Sequence, residues 1–353
     1  MTASAGRPVP WRRSPGLLAW PQGWQRPART EEWAFEAGAA GLGQCPFTQL
    51  VCFPWASLVD LLDRGHLDRA KPFHEALVHA PPRTNLIRAT VCQHIRVDPL
   101  LPWLKALQIT DLFWSHARTD QLELEGIRLH PFPLYPVRAL EWAGPLADAE
   151  RPSAQRRYLY SFIGAYSPDG YLTPARQWIA DLPRRDDAYL VLRGMWHYES
   201  MVYGEQVAQH TTPPEVRARL ERDGDEFDAV LLDSIFSLCP SGSGPNSIRL
   251  WESLGFGCIP VLLSDRLRLP GTTKEWDEAI VRVPETRDAV AALPARLEEI
   301  ALDPFRLQRM QQAGRRLWVR YGERGPATVL GALAARGWVR AQIAAGGTTQ
   351  PAM

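Results

Sequence analysis

The chain has 353 residues, of which 45% are hydrophobic and 22% charged, and its formal net charge is +1. Those values describe an ordinary globular chain long enough for two domains. A balance so close to neutral gives no global electrostatic reason to bind nucleic acid or an anionic membrane.

Residues 1–30, beginning "MTASAGRPVPWRRSPG", carry little apolar content and read as a disordered lead-in. The apolar run "GLLAW" is too short for a signal peptide, and no run approaches the ~20 residues of a membrane span. The five cysteines, Cys45, Cys52, Cys92, Cys239 and Cys258, are odd in number and contain no CxxC pair. The expectation is a reduced, cytoplasmic protein without disulfides, at most peripheral at the inner face of a membrane.

Strand-like and helical patterns then alternate. "TQLVCFPWA" reads as a strand, "WASLVDLLDRG" as a helix ending on Gly65, "NLIRATVCQHI" as a strand with His94 near its end, "PLLPWLKALQI" as a helix and "TDLFWSHA" as a strand ending at His116. "EWAGPLADAERPSAQRR" mixes Gly, Pro, Ala and charge and reads as an interdomain linker. A second series comes after it. "RYLYSFIGA" is a strand leading into Gly164, "TPARQWIADL" a helix with Thr173 as N-cap, and "AYLVLRGMW" a strand ending at Arg193. "FDAVLLDSI" is a helix, "FSLCP" a strand, "SIRLWESLGF" a helix and "CIPVLLSD" a strand, with helical stretches to about residue 344. The fold class expected is α/β, two doubly wound parallel-sheet domains facing a cleft, with ligands at the carboxyl ends of the strands. The boundaries expected are 1–30 lead-in, 31–145 N-terminal domain, 146–325 C-terminal domain, 326–344 helix and 345–353 frayed tail.

The densest segment is "SLCPSGSGPNSIRLWESLGFGCIPVLLSD", Ser237 to Asp265. Ile248, Leu250, Trp251 and Leu254 share one arc of its helix; Arg249, Glu252 and Ser253 share the other. A surface pair between Arg249 and Glu252 is the plain reading. Yet a cation in the first turn opposes the helix dipole. A bound anion reverses that sign: the Gly/Ser turn offers backbone N–H groups at a helix N-terminus, and arginine adds a fork of donors matched to phosphate. Gly242, Gly244, Asn246 and Ser247 of the turn, with Gly164, are candidates for binding a nucleoside diphosphate group. Glu252 could hold a ribose diol. No Walker loop is present, because Pro245-Asn246-Ser247 stands where G-K-[ST] would be, and the GxSxG spacing is missing. "DGD" at Asp223–Asp225 reads as a solvated loop rather than a metal site.

Phe236, Leu238, Pro240, Gly242, Arg249, Glu252, Gly257-Cys258-Ile259-Pro260-Val261 and Leu263-Ser264-Asp265 together resemble the signature of the exostosin-like glycosyltransferases, glycosyltransferase family 47. Ser253 replaces the common alanine. Leu269-Pro270, Trp276 and "YSFIGA" extend the resemblance over roughly 156–320, while "VCQHIRV" and "LFWSHA" resemble segments of its bacterial members. The resemblance implies a GT-B fold, a nucleotide-sugar donor and inverting transfer without a required metal or other cofactor. By carry-over, Arg249 neutralises the donor pyrophosphate and Glu252 holds the ribose; Arg193, at the end of "YLVLRG", is a second phosphate candidate.

A general base for the acceptor hydroxyl is then needed. His94 and His116 are the candidates, with Asp98, Asp120 and Asp265 behind them, and His197 is a donor-side contact or simply packed. Cys258 reads as a small buried hydrophobe. The function expected is transfer from a nucleotide-sugar, a UDP-sugar foremost, to a glycan or glycolipid acceptor in bacterial surface polysaccharide synthesis, with no nucleic-acid partner. An inactive nucleotide-sugar-binding partner of another transferase, and an epimerase or phosphorylase of the same fold, stand as alternatives.

Overall fold

The computed structural model describes residues 11–45, 47–82, 87–167 and 169–346. They fall into two compact units. Unit 1 takes the described residues of Met1–Ser115, Gln121–Phe132 and Pro326–Met353; unit 2 takes His116–Asp120 and Pro133–Gly325.

Unit 1 is built on a sheet of β1 (Arg12–Ser14), β2 (Leu17–Ala19), β3 (Thr48–Cys52), β4 (Ile87–Cys92), β5 (Asp111–Trp114), β6 (Glu123–Leu124) and β7 (Ile127–Pro131), in the order β1-β2-β3-β4-β5-β7-β6. The run β2-β3-β4-β5-β7 is parallel, and β1 and β6 join its ends antiparallel. The parallel strands of unit 1 lie in chain order. The disordered lead-in also needs correction. "GLLAW" is too short to pack alone, but it pairs with β3 (Leu17 opposite Leu50), and Leu17, Leu18, Ala19 and Trp20 are buried. Residues 1–10 lie outside the described residues, as does the expected frayed tail beyond Gly346. The C-terminal helix Gly325–Gly346 packs into the unit 1 core through Leu330 and Leu333, beside Leu17, Leu50 and Phe113. Arg336 on that helix reaches the fully buried Asp111, which Arg128 and His130 also bind, at 2.6–2.8 Å.

The boundary between the units falls at Phe132, not near residue 145. The expected linker instead folds within unit 2. Its anchor is Arg156, whose buried guanidinium donates to the carbonyls of Arg151, Ala149, Leu231, Ser234 and Phe256.

Unit 2 carries β8 (Tyr158–Ala165), β9 (Ala188–Arg193), β10 (Ser234–Pro240), β11 (Ile259–Leu263) and β12 (Val281–Arg282), all parallel, in the order β12-β11-β10-β8-β9. β10 and β11 are nearly continuous apolar runs, as central parallel strands covered on both faces require. From β8 the chain steps outward to β9 and returns on the other side to β10. The strand order therefore reverses between β8 and β10, which opens a crevice beyond their carboxyl ends. "DGD" lies inside the helix Pro214–Leu232, not in a polar loop. None of the five cysteines forms a disulfide, and all are buried. Among the described residues no helix is long and apolar enough to cross a membrane.

Candidate functional site

The crevice between β8 and β10 is where the chemistry gathers. β10 runs into the turn 241–247 and then the helix Ile248–Gly255. That helix starts sharply because Ser247 is extended (φ −125°, ψ 131°), and the Ser247 side chain makes no cap bond, leaving the helix N-terminus open. It stops sharply as well. Gly257 takes φ +68°, its N–H bonds Leu254 O, and the Cys258 N–H bonds Ser253 O, a paired closure that a glycine makes possible. A Cβ at Gly257 would also collide with the Ala149 carbonyl.

The turn is braced from both sides. Leu172 N donates to Gly242 O (3.0 Å), Ser243 Oγ to Gly170 O (2.6 Å) and Ser264 Oγ to Pro245 O (2.7 Å), while Gly242 N is used within the turn on Gly244 O (2.9 Å). The Asn246 side chain accepts from Trp251 Nε1 at 3.0 Å, which ties the turn to its own helix.

Arg249 is not on a solvated face; only 7% of it is exposed. Its guanidinium donates to Ile163 O on β8 and lies 4.4 Å from the centre of the Phe162 ring, while its buried Nε has no partner. Gly164 makes room for it, since a Cβ there would stand 2.8 Å from Arg249 Nη2. A second arginine, not anticipated from the sequence, shares the crevice. Arg176, 8% exposed, donates to Ala165 O at the end of β8 and to Ser241 O after β10. It stacks 4.0 Å from the Tyr171 ring and lies 5.8 Å from Phe162. Among the described residues neither guanidinium makes an ion pair.

Two buried cations held only by carbonyls and rings are costly. The cost is visible in their acidity. Burial and the neighbouring Arg176 push Arg249 down to about 10, and burial lowers Arg176 as well. An anion in the crevice would remove both penalties. The missed signal was the same one that marked Arg249: Arg176 sits in the first turn of the helix Ala175–Ala180, against the dipole.

Glu252 is 1% exposed and makes no bond to Arg249 among the described contacts. The surface-pair reading is therefore wrong. Its two carboxylate oxygens accept from the backbone N–H groups of Arg138 (3.0 Å) and Ala139 (2.7 Å), capping the short helix Val137–Glu141. Burial raises its pKa to about 8 against the pull of those donors. The ribose role carried over by the resemblance would have one of these oxygens accept an additional bond.

Arg193 ends β9 as expected, but its charge is already met: Nη2 lies 2.6 Å from Glu226 and 3.5 Å from Asp223. It is not an unpaired phosphate ligand. His197 is held neutral, its pKa lowered to about 4 by burial and by Arg193 and Arg138, which fits a packed residue.

His116 belongs to unit 2, where residues 117–119 run antiparallel along 266–268, and not to the acceptor-side domain. Its Nδ1 accepts from the Asn246 N–H at 3.4 Å. That contact occupies the Nδ1 lone pair. His94, in unit 1, has both nitrogens engaged: Nδ1 accepts from Arg96 N–H (3.0 Å) and Nε2 faces Asp60 (3.5 Å). The structure gives it a hydrogen-bonded, oriented role and leaves no free lone pair for a base. Asp120 pairs with Arg266 at 2.8 Å, and Asp265 accepts from Glu285 N at 3.1 Å. Glu285, also unanticipated, takes hydrogen bonds from Ser241 Oγ and, at 2.8 Å, Thr173 Oγ1 on the rim of the turn. Among the described residues no three His, Cys, Asp or Glu side chains assemble into a metal-binding group.

Residues 129–299 match the Exostosin GT47 domain, a span that includes Gly164, Arg176, Arg249 and Glu252 and excludes both histidine candidates. The chain is 34% identical over 143 residues to the exostosin-1 homolog of Caenorhabditis elegans, covering 40% of this chain and 35% of that protein. It is 41% identical over 76 residues to the probable glucuronoxylan glucuronosyltransferase IRX7 of Arabidopsis thaliana, covering 21% and 16%. The chain thus spans about a third or less of the length of these relatives. Both are eukaryotic and do not bear on the bacterial assignment. Among solved structures, a glycosyltransferase from Rickettsia africae is similar with a TM-score of 0.44 and 10% identity over 92% of this chain and 97% of that one.

Proposed function

We propose that this chain, whose residues 129–299 match the Exostosin GT47 domain, is an inverting glycosyltransferase of GT-B type. It would move a sugar from a nucleotide-sugar, a UDP-sugar foremost, to a glycan or lipid-linked acceptor of a surface polysaccharide. The observation that carries the reading is the pair of uncompensated guanidiniums, Arg176 and Arg249, at the β8/β10 crevice. A nucleoside diphosphate brings the two negative phosphates that such a pair lacks. In the reaction the acceptor oxygen bonds to the anomeric carbon while the bond from that carbon to the β-phosphate oxygen breaks. The electron pair leaves with the diphosphate, and the hydroxyl proton passes to a base on the acceptor side. Negative charge grows on the departing phosphate, where Arg176, Arg249 and the open helix end at Ser247 stand as preorganised donors. With two cations in place the reaction needs no metal ion. Glu252 holds the neighbouring chain at Arg138 and Ala139, a positioning role.

The test is product analysis with UDP-sugars, UDP-glucuronic acid first because a relative is named a glucuronosyltransferase, together with oligosaccharide acceptors. A glycosylated acceptor of inverted anomeric configuration is expected. Binding without transfer would favour the inactive-partner reading, and a changed free nucleotide-sugar would favour an epimerase.

A further inference from the structure

We propose that the corner between the helices Leu293–Ala301 and Pro304–Leu317 docks unit 2 onto an anionic phospholipid surface. A cavity of about 630 Å³ opens there, lined by Arg282, Arg296, Arg306, Arg309 and Arg316. Only two acids line it, Asp277 and Glu278, and each is spent on an arginine: Asp277 on Arg282 at 2.7 Å and Glu278 on Arg316 at 3.9 Å. Among the described residues Arg296, Arg306 and Arg309 make no ion pair. The helix Pro304–Leu317 holds four arginines and no acid, on a chain whose overall charge is +1. The cationic surface is therefore local.

A second observation points to a bilayer rather than to a soluble polyanion. Leu302 and Phe305, at the turn joining the two helices, are 84% and 74% exposed, and the exposed acid between them, Asp303, is used as the N-cap of the second helix, accepting from Arg306 N at 2.9 Å. Phe305 adjoins Arg306 in the chain and stands one helical turn from Arg309. Large apolar side chains set beside a row of cations are the composition of a surface that sits at the headgroup level, rings in the acyl boundary and guanidiniums on the phosphates. A soluble polyanion would use the cations and leave the apolar pair idle. The corner is also separate from the crevice. Arg282 lies on the edge strand β12, with β11 between it and β10.

Co-flotation of the full chain with phosphatidylcholine vesicles, with and without phosphatidylglycerol, tests this. Binding is expected only when phosphatidylglycerol is present, and it should weaken with added salt. Each cation removed should cost about five-fold. The pair Arg306→Glu with Arg309→Glu should abolish flotation, and Leu302→Ser with Phe305→Ser should weaken it about ten-fold. Thermal stability and UDP binding should be unchanged in both, which separates this test from that of the crevice. Equal binding to neutral vesicles, no binding to either, binding to a sulfated polysaccharide alone, or flotation insensitive to both variants would overturn the proposal.

Discussion

Arg176 and Arg249 share one aromatic ring: their guanidinium carbons lie 5.8 Å and 4.4 Å from the centre of Phe162, and each donates to a carbonyl of β8. Like charges so placed repel each other until an anion arrives. Arg176→Ala and Arg249→Ala should each weaken binding of a nucleoside diphosphate by about 1.5–3 kcal/mol, the worth of a charged hydrogen bond. The unliganded variants should unfold at the same temperature as the parent or above it, because an uncompensated buried cation has gone. Calorimetric titration and thermal melts read the two effects separately. A large loss of stability without loss of affinity would make these arginines structural.

Gly164→Ala tests how tightly the crevice is built. The added methyl meets Arg249 Nη2 and the Phe162 ring at 2.8 Å. One or both must shift, at about 1–3 kcal/mol. Diphosphate affinity should fall while far-UV circular dichroism stays unchanged.

Glu252→Ala should act on stability first. Its removal leaves the N–H groups of Arg138 and Ala139 without their acceptors, a loss of about 2–4 kcal/mol. Denaturant unfolding measures it. A variant of native stability that had lost only nucleotide affinity would restore the ribose role.

Two buried carboxyls set a pH dependence. Burial raises both Glu31 and Glu252 from the ordinary 4.5 to about 8. The folded chain therefore holds more protons than the unfolded one between those values. The stability these groups confer is complete below 4.5 and is lost as pH rises through 8. His197, held down to about 4, works in the opposite direction, but only below its ordinary 6.5. Melting temperature should thus fall from pH 6.5 to 8.5. Glu31→Gln should remove up to one proton from that slope, about 1.4 kcal/mol per pH unit. A melting temperature that rises across this window would contradict the assignment.

The parts of the fold legible in the sequence were those written in local pattern. β10, the helix Ile248–Gly255 and β11 follow from a turn, an amphipathic run and an apolar strand. Arg249 was legible because a cation in a first helical turn is out of place without an anion. Arg176 carries the same mark, but its helix follows no glycine-rich turn, and nothing local shows that Arg176 and Arg249 meet. Glu252 shows the limit more sharply. Its partner lies more than a hundred residues earlier in the chain, and no helical wheel separates a buried cap from a ligand contact. β2 was lost for a related reason: "GLLAW" becomes a strand only when β3 is beside it.

On the proposed reading, the β8/β10 crevice binds a nucleoside diphosphate through Arg176 and Arg249. Isothermal titration of UDP into the parent protein, Arg176→Ala and Arg249→Ala, each with and without a chelator, tests it most directly. Saturable binding to the parent, unchanged by the chelator, is expected, with affinity reduced about 10- to 150-fold in each variant. UDP binding equally well to all three proteins would contradict it, as would a parent protein that binds no nucleoside diphosphate at all.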